Sequence, residues 1–205
     1  PMIPMILLMP VLNVSDRYFL KLFTSIEEIG KYGIAYKFGM LINMFLVIPI
    51  SRSWGPQMFQ VGKSKEENRK IHQDLTFYYS YIGWFIIVGL SFFSDTIISI
   101  VANKEYLAAA WVIPLVSLAY FVCGFKIFFL ASATLADRTD LLVKTGLLAI
   151  ITNVCLNYFF IKNYGVEGAV LSTILSNLIL ILLLLNFTKS VNQFSWPMKK
   201  IVHGA

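Results

Sequence analysis

Long apolar runs alternate with short polar segments along this chain, and the pattern predicts membrane-spanning helices. Each run is long enough to cross a hydrocarbon core of ~30 Å at 1.5 Å per residue. The runs lack the two-residue alternation of a membrane β-barrel, and a bilayer leaves helices as the other solution. We therefore expect an all-α polytopic bundle of about six spans, at about 2–23, 34–60, 75–94, 109–135, 141–161 and 166–187.

The six predicted spans make one unit, a transmembrane lobe over residues 1–187. Prolines in the first two spans predict kinked helices. The remaining segment, 188–205, carries Trp196, Lys199 and Lys200, which is typical of an interfacial tail. The chain begins at Pro1 rather than Met, so we expect it to be a piece of a longer protein.

Composition and charge support the membrane interpretation and predict an orientation. Only 14% of the residues are charged, against about 25% in soluble domains. Nine lysines and arginines follow the even-numbered spans and three follow the odd-numbered ones, so the start of the chain and its tail are expected in the cytoplasm. The net charge of +6 then reflects topology, and no nucleic-acid partner is needed to explain it.

One polar connection, the segment GKSKEENRKIHQD at 62–74, mixes both signs of charge and is expected to be a solvated loop. His72, within it, and His203 are expected to be solvated. No residues have the spacing of a metal site, and no cofactor is expected.

Three charged residues interrupt the first apolar run: Asp16, Arg17 and Lys21. At 100° per residue they fall, with Asn13, within an arc of about 140°. A charge facing lipid is costly, so this arc should face the protein interior or a watery cavity. Leu12 and Phe19 lie outside the arc.

The charged residues that are predicted to lie within the membrane are mostly positive, which favours an anionic ligand. Five cations, Arg17, Lys21, Lys37, Arg52 and Lys126, accompany one acid, and a cavity with that excess should hold a phosphate or pyrophosphate. The candidate substrate-binding residues are Asp16, Arg17, Lys21, Lys37 and Lys126. The alternative for Asp16 is an interhelical ion pair with Arg17 or Lys37 that only fixes packing.

Two patterns in the last two spans indicate helix packing. Asn153 and Asn157 share a helix face at four-residue spacing, which favours interhelical hydrogen bonds. Gly168, Ser172 and Ser176 form a small-residue stripe that lets another helix approach closely.

Four stretches resemble the Wzx-type polysaccharide and O-antigen flippases of the multidrug/oligosaccharidyl-lipid/polysaccharide exporter superfamily. SDRYFLKLFTSIEEIGKYGIAYKFGMLI (15–42) resembles the segment that joins the seventh and eighth helices of that family, and PISRSWGPQMF (49–59) resembles the end of the eighth. NKEYLAAAWVIPLVSLAYF (103–121) resembles the beginning of the tenth. NVCLNYFFIKNYGVEGAVLSTILSN (153–177) resembles the junction of the eleventh and twelfth.

This resemblance implies the C-terminal lobe of a two-lobed exporter, whose N-terminal lobe is absent from this chain. Such proteins move undecaprenyl-pyrophosphate-linked oligosaccharides from the inner to the outer leaflet of the bacterial or archaeal plasma membrane by alternating access. The product serves capsule, O-antigen or exopolysaccharide biosynthesis. By resemblance, Asp16, Arg17 and Lys37 face the central cavity. Whether a proton or a sodium ion also drives transport is left open by the sequence, and Asp16 is the acid available to either.

Three other functions remain open from the sequence. A lipid II flippase would share the fold and the charges, whereas a drug or cation antiporter of the superfamily would need acidic cavity residues. A membrane glycosyltransferase or polymerase would need paired carboxylates near a membrane groove. The nearest pair, Asp137 and Asp140, lies in a short turn and indicates helix capping, so we expect no catalytic residues and no enzyme.

Overall fold

A computed structural model describes residues 15–58, 65–135 and 139–189. These residues are about 95% helical and include no strand, which confirms the all-α prediction for this part of the chain. Helix α1 is described over 15–23, and the others are α2 (Ile26–Gly39), α3 (Ile48–Met58), α4 (Lys65–Val101), α5 (Val112–Gly124), α6 (Lys126–Leu135) and α7 (Thr139–Lys189).

Four helical stretches of the described residues are long and apolar enough to cross a membrane. They are Ile26–Trp54, Lys70–Val101, Val112–Leu130 and Val143–Asn186, and they fit a membrane-embedded protein. The predicted six spans are not confirmed by this count, for two reasons. Most of the first predicted span lies outside the described residues, and the fifth and sixth lie together in the last stretch.

Helix α7 folds back on itself at Gly165. The backbone there has φ 55° and ψ −126°, a positive φ that glycine adopts without a side-chain penalty. The position for a Cβ on Gly168 coincides with the main chain of Phe160, so the two arms, 139–164 and 166–189, touch along their backbones. This contact and those described below make α7 an antiparallel hairpin, and they confirm that the small-residue stripe serves close packing.

Two of the predicted continuous spans are interrupted. Between α2 and α3 the chain forms a π-helix, Asn43–Val47, which ends two residues before Pro49. Proline lacks the N–H that would bond to the carbonyl of Phe45 in a regular α-helix. The predicted span 109–135 is not one continuous helix. Its first residue is the last one of a 3₁₀-helix, Lys104–Ala109, and the chain turns again at Phe125, between α5 and α6.

Helix α5 is the centre of the bundle and packs against α2, α4 and α7. Its Val116 leaves no room for a Cβ on Gly39 of α2, and the Ser117 hydroxyl donates to the Gly39 carbonyl at 3.1 Å. Tyr79 of α4 stacks on Phe121 with ring centroids 5.2 Å apart. Small and aromatic residues therefore fix the position of α5 against its neighbours.

The outward side of α4 is apolar over most of its length. Phe85, Val88, Phe92 and Ile100 each expose more than three-fifths of their surface. A contiguous exposed apolar face of this kind marks a surface covered by lipid or by another protein. It agrees with the membrane interpretation.

The polar segment 62–74 is not a solvated loop where the structure describes it. From Lys65 onward it forms the first turns of α4, a helix of 37 residues that is ~55 Å long and so exceeds the hydrocarbon core.

His72 is 2% exposed and lies between the rings of Trp54 and Phe128, so the prediction of a solvated side chain is wrong. His203 lies outside the described residues.

We predict that Gly168→Ala destabilises the protein by about 1–3 kcal/mol, because the added methyl group must push the two arms of α7 apart. Gly89→Ala in α4 is the matched control, since its Cβ would meet nothing within 4 Å. Thermal unfolding of the full-length protein in detergent measures both changes. Equal melting temperatures for the two variants would contradict the hairpin contact.

Candidate functional site

A cavity of about 110 Å³ lies between α1, α2, α5, α6 and the two arms of α7. Polar groups line one part of it and leucines the other. Its charged lining residues are Asp16 and Lys126. Its uncharged polar lining residues are Tyr36, Tyr120, Thr145, Asn153, Thr173, Ser176 and Asn177.

Asp16 is held inside the protein by two hydrogen bonds. The Tyr32 hydroxyl donates to its Oδ2 at 2.7 Å, and the main-chain N–H of Arg17 donates to its Oδ1 at 2.7 Å. The residue is only 4% exposed. The carboxyl group is therefore fixed at the cavity wall by a neighbouring helix, α2, and by its own backbone.

A tyrosine pair closes the cavity between α2 and α5. The hydroxyl oxygens of Tyr36 and Tyr120 are 2.7 Å apart and share a hydrogen bond. The guanidinium carbon of Arg17 lies 5.2 Å from the centre of the Tyr36 ring, a cation–π distance. Tyr36 thus contributes its hydroxyl to the cavity wall and its ring to the Arg17 side chain.

A buried polar network joins α1 to the first arm of α7. The Ser15 hydroxyl donates to Asn153 Oδ1 at 2.8 Å, and Asn157 Nδ2 donates to Ser15 Oγ at 2.9 Å. Asn157 Nδ2 also lies 3.1 Å from Asn153 Oδ1. The prediction that the asparagine pair makes interhelical hydrogen bonds is confirmed.

The same network continues into the second arm of α7. Asn153 Nδ2 donates to Ser176 Oγ at 3.0 Å, and the Ser172 hydroxyl donates to Asn157 Oδ1. Ser172 is fully buried and Ser176 is 4% exposed. Since Asn153 and Ser176 also line the cavity, the network forms part of its wall.

The structure divides the five candidate binding residues into two groups. Asp16 and the half-buried Lys126 line the cavity, whereas Arg17, Lys21 and Lys37 are exposed. We call these last three the cationic face.

Along α1, Leu20 is fully buried against the core while Arg17 and Lys21 point outward. The predicted polar arc is therefore split between a buried side, at Asp16, and an exposed side, at Arg17 and Lys21. Asn13 lies outside the described residues.

The interhelical ion pair considered for Asp16 does not form. Within 15–58, 65–135 and 139–189, the ion pair found is Lys31 with Glu27, at 2.6 Å on the surface of α2. Asp16 has Tyr32 and the Arg17 backbone as partners instead.

Sequence reasoning missed the tyrosines of the site. Tyr32 and Tyr36 are four residues apart in an apolar helix, a spacing that places two hydroxyls on one face and could have indicated them. Asn177, whose amide donates to the Ala119 carbonyl at 2.9 Å, was overlooked as well. In the described part of the chain, no group of three or more His, Cys, Asp or Glu side chains is arranged to hold a metal ion.

We predict that Ser172→Ala lowers the free energy of unfolding by about 1–3 kcal/mol, because it leaves the buried Asn157 carbonyl without its donor. Ser99→Ala is the matched control: its hydroxyl is exposed and donates only to Thr96 of its own helix, and we expect less than about 0.5 kcal/mol. Denaturation of the full-length protein measures both. A Ser172 variant as stable as the Ser99 variant would refute a stabilising network.

Comparison with known proteins identifies no family for this chain. No family model matches it, and neither a curated protein nor a solved structure matches it significantly. The resemblance described from the sequence therefore stays a prediction.

Proposed function

We propose that the chain is the C-terminal lobe of a Wzx-type flippase, which moves a polyprenyl-pyrophosphate-linked oligosaccharide across the bacterial or archaeal plasma membrane. The observation that carries this proposal is the cationic face. Arg17, Lys21 and Lys37 are exposed, while Asp16, the one acid counted with them, is buried and accepts a hydrogen bond from Tyr32. The surface offered to a ligand is therefore more positive than the sequence alone indicates.

The cationic face suits a pyrophosphate group. Arg17 and Lys21 are four residues apart and share one side of α1, and the ring of Tyr36 positions the Arg17 guanidinium. A guanidinium can bind phosphate oxygens through two hydrogen bonds, and a lysine adds a mobile point charge. We infer that the face binds the pyrophosphate head group while the polyprenyl tail stays in the lipid.

The proposed topology has six spans, with the start of the chain and its tail in the cytoplasm. The two arms of α7 would each cross the membrane, since 26 and 24 residues extend ~36–39 Å. The first span would include α1 and the residues before it. The missing N-terminal lobe would complete the central cavity, and alternating access would carry the head group outward.

The membrane potential favours this direction of transport. Moving one charge across the membrane is worth about 2.3 kcal/mol per 100 mV, so a dianionic head group would gain about 4–5 kcal/mol per 100 mV when the cell interior is negative. A proton or sodium ion is a further candidate for coupling, and Asp16 in the cavity is the acid available to it.

One observation favours a second candidate, a drug or cation antiporter of the same superfamily. Asp16 lines a cavity that could admit a small cation. Lys126 lines the same cavity, however, and its charge opposes a cationic drug there. A lipid II flippase would use the same cationic face and differs only in the glycan. We propose no enzymatic activity.

We predict that Arg17→Ala abolishes export of the lipid-linked oligosaccharide and leaves membrane insertion intact, because Arg17 is exposed and its ring contact contributes only about 0.5–1 kcal/mol. Surface polysaccharide is measured in cells that express the full-length protein. Lys162→Ala is the matched control, because Lys162 is also an exposed cation over a tyrosine ring, 5.7 Å from Tyr158.

Normal export by the Arg17 variant would contradict the role of the cationic face. Loss of export by both variants would show a general sensitivity to surface charge and would also count against it. Transport of a cationic dye, abolished by Asp16→Asn and unaffected by Arg17→Ala, would favour the antiporter.

A further inference from the structure

A second cavity, of about 600 Å³, lies at the turn of the α7 hairpin. Its walls come from the first turns of α2, the residues around the start of α5, and residues 163–167. We call it the tip groove. Sites for small organic ligands have volumes of ~300–1,000 Å³, so the groove is large enough for one or two sugar rings.

The tip groove presents two aromatic rings. Trp111 is 39% exposed and Tyr164 is 60% exposed, and both line the groove. The face of an aromatic ring carries negative charge density, so the weakly positive C–H bonds of a sugar ring pack favourably on it. Large, rigid rings also supply contact area at a low cost in conformational entropy.

Residues that carry hydrogen-bond acceptors line the same groove. The carboxylates of Glu28 and Glu167 line the groove, and neither forms an ion pair within the described residues. Asn163 uses its amide N–H to bond to the Phe159 carbonyl at 2.7 Å, which leaves its side-chain oxygen as an acceptor. Acceptors of this kind match the hydroxyl groups of a saccharide.

The charge of the groove excludes the head group. The one lysine that lines it, Lys31, is already paired with Glu27 at 2.6 Å, so two free carboxylates dominate the local field. A pyrophosphate would be repelled from such a site. The groove therefore suits an uncharged part of an amphiphilic substrate and is chemically opposite to the cationic face.

The groove lies at the end of the bundle where α1 ends. A Cβ on Gly165, at the hairpin turn, would lie 3.5 Å from Thr24, which directly follows α1. In the proposed topology this end is the outer one, because only three basic residues occur in the connections there. A ligand at the groove would have reached the outer side of the membrane.

We propose that the tip groove binds uncharged sugar units of the transported oligosaccharide at the outer surface, with Trp111 and Tyr164 as stacking platforms and Glu28, Asn163 and Glu167 as hydroxyl acceptors. The inference rests on the proposed function for the identity of the saccharide. It adds a second binding site that recognises the glycan, separate from the cationic face that recognises the pyrophosphate.

The test measures binding of a free oligosaccharide to the full-length protein in lipid nanodiscs by calorimetry. The probe is the repeat-unit oligosaccharide released by mild acid from the lipid-linked pool of the source cells, with no phosphate attached. Trp111→Ala should weaken binding ~10-fold, the upper range for one aromatic contact. Trp84→Ala is the matched control, because Trp84 is 54% exposed on α4, away from the groove.

Glu167→Lys is a second variant at an exposed position, and it should also weaken binding, by removing an acceptor without disturbing the core. Wild-type affinity in both groove variants, or no binding by the wild type, would overturn the proposal. Arg17→Ala separates the two ideas: it should bind the free oligosaccharide normally while failing to export. If that variant exports normally, the proposed function fails, and the binding results for Trp111 and Glu167 still decide the groove.

Discussion

The buried hydrogen-bond network centred on Asn157 is the interaction on which the rest of the site depends. Its amide donates to Ser15 of α1 and its carbonyl accepts from Ser172 of the second arm of α7, so one side chain ties three helices together. In an apolar surrounding, an unsatisfied amide would cost more than the hydrogen bonds contribute. The network therefore fixes the rotation of α1, and with it the positions of Asp16 and Arg17.

That rotation separates the positive from the negative side chains of α1. With Ser15 turned toward α7, the next residue, Asp16, points into the cavity and reaches the Tyr32 hydroxyl. Arg17 then points outward and lies over the ring of Tyr36. Acid and base, adjacent in sequence, end on different surfaces, one in a cavity and one on an exposed face. At the end of the bundle where α1 ends, the tip groove has a charge opposite to that of the cationic face.

The sequence predicted what depends on local spacing and missed what depends on packing. The asparagine pair and the small-residue stripe follow from four-residue spacing, and both take part in contacts between the two arms of the hairpin. Helical phasing gives angles between side chains but not which angle faces the core. Leu20, buried against α2 and α7 residues such as Tyr32 and Ile161, decided that. His72 was misplaced because a run of mixed charges is compatible with a helix as well as with a loop.

The proposal that the cationic face borders the water-filled central cavity of a two-lobed transporter, and not the lipid, is tested most directly by cysteine accessibility in cells. Single cysteines would replace Lys37 and, as a lipid-facing control, Phe85 of α4, in a full-length protein with Cys123 and Cys155 changed to serine. Phe85 is 77% exposed on the apolar side of α4. We expect a membrane-impermeant thiol reagent to label the cysteine at position 37 rapidly and the one at position 85 very slowly. Equally slow labelling at both positions would contradict it.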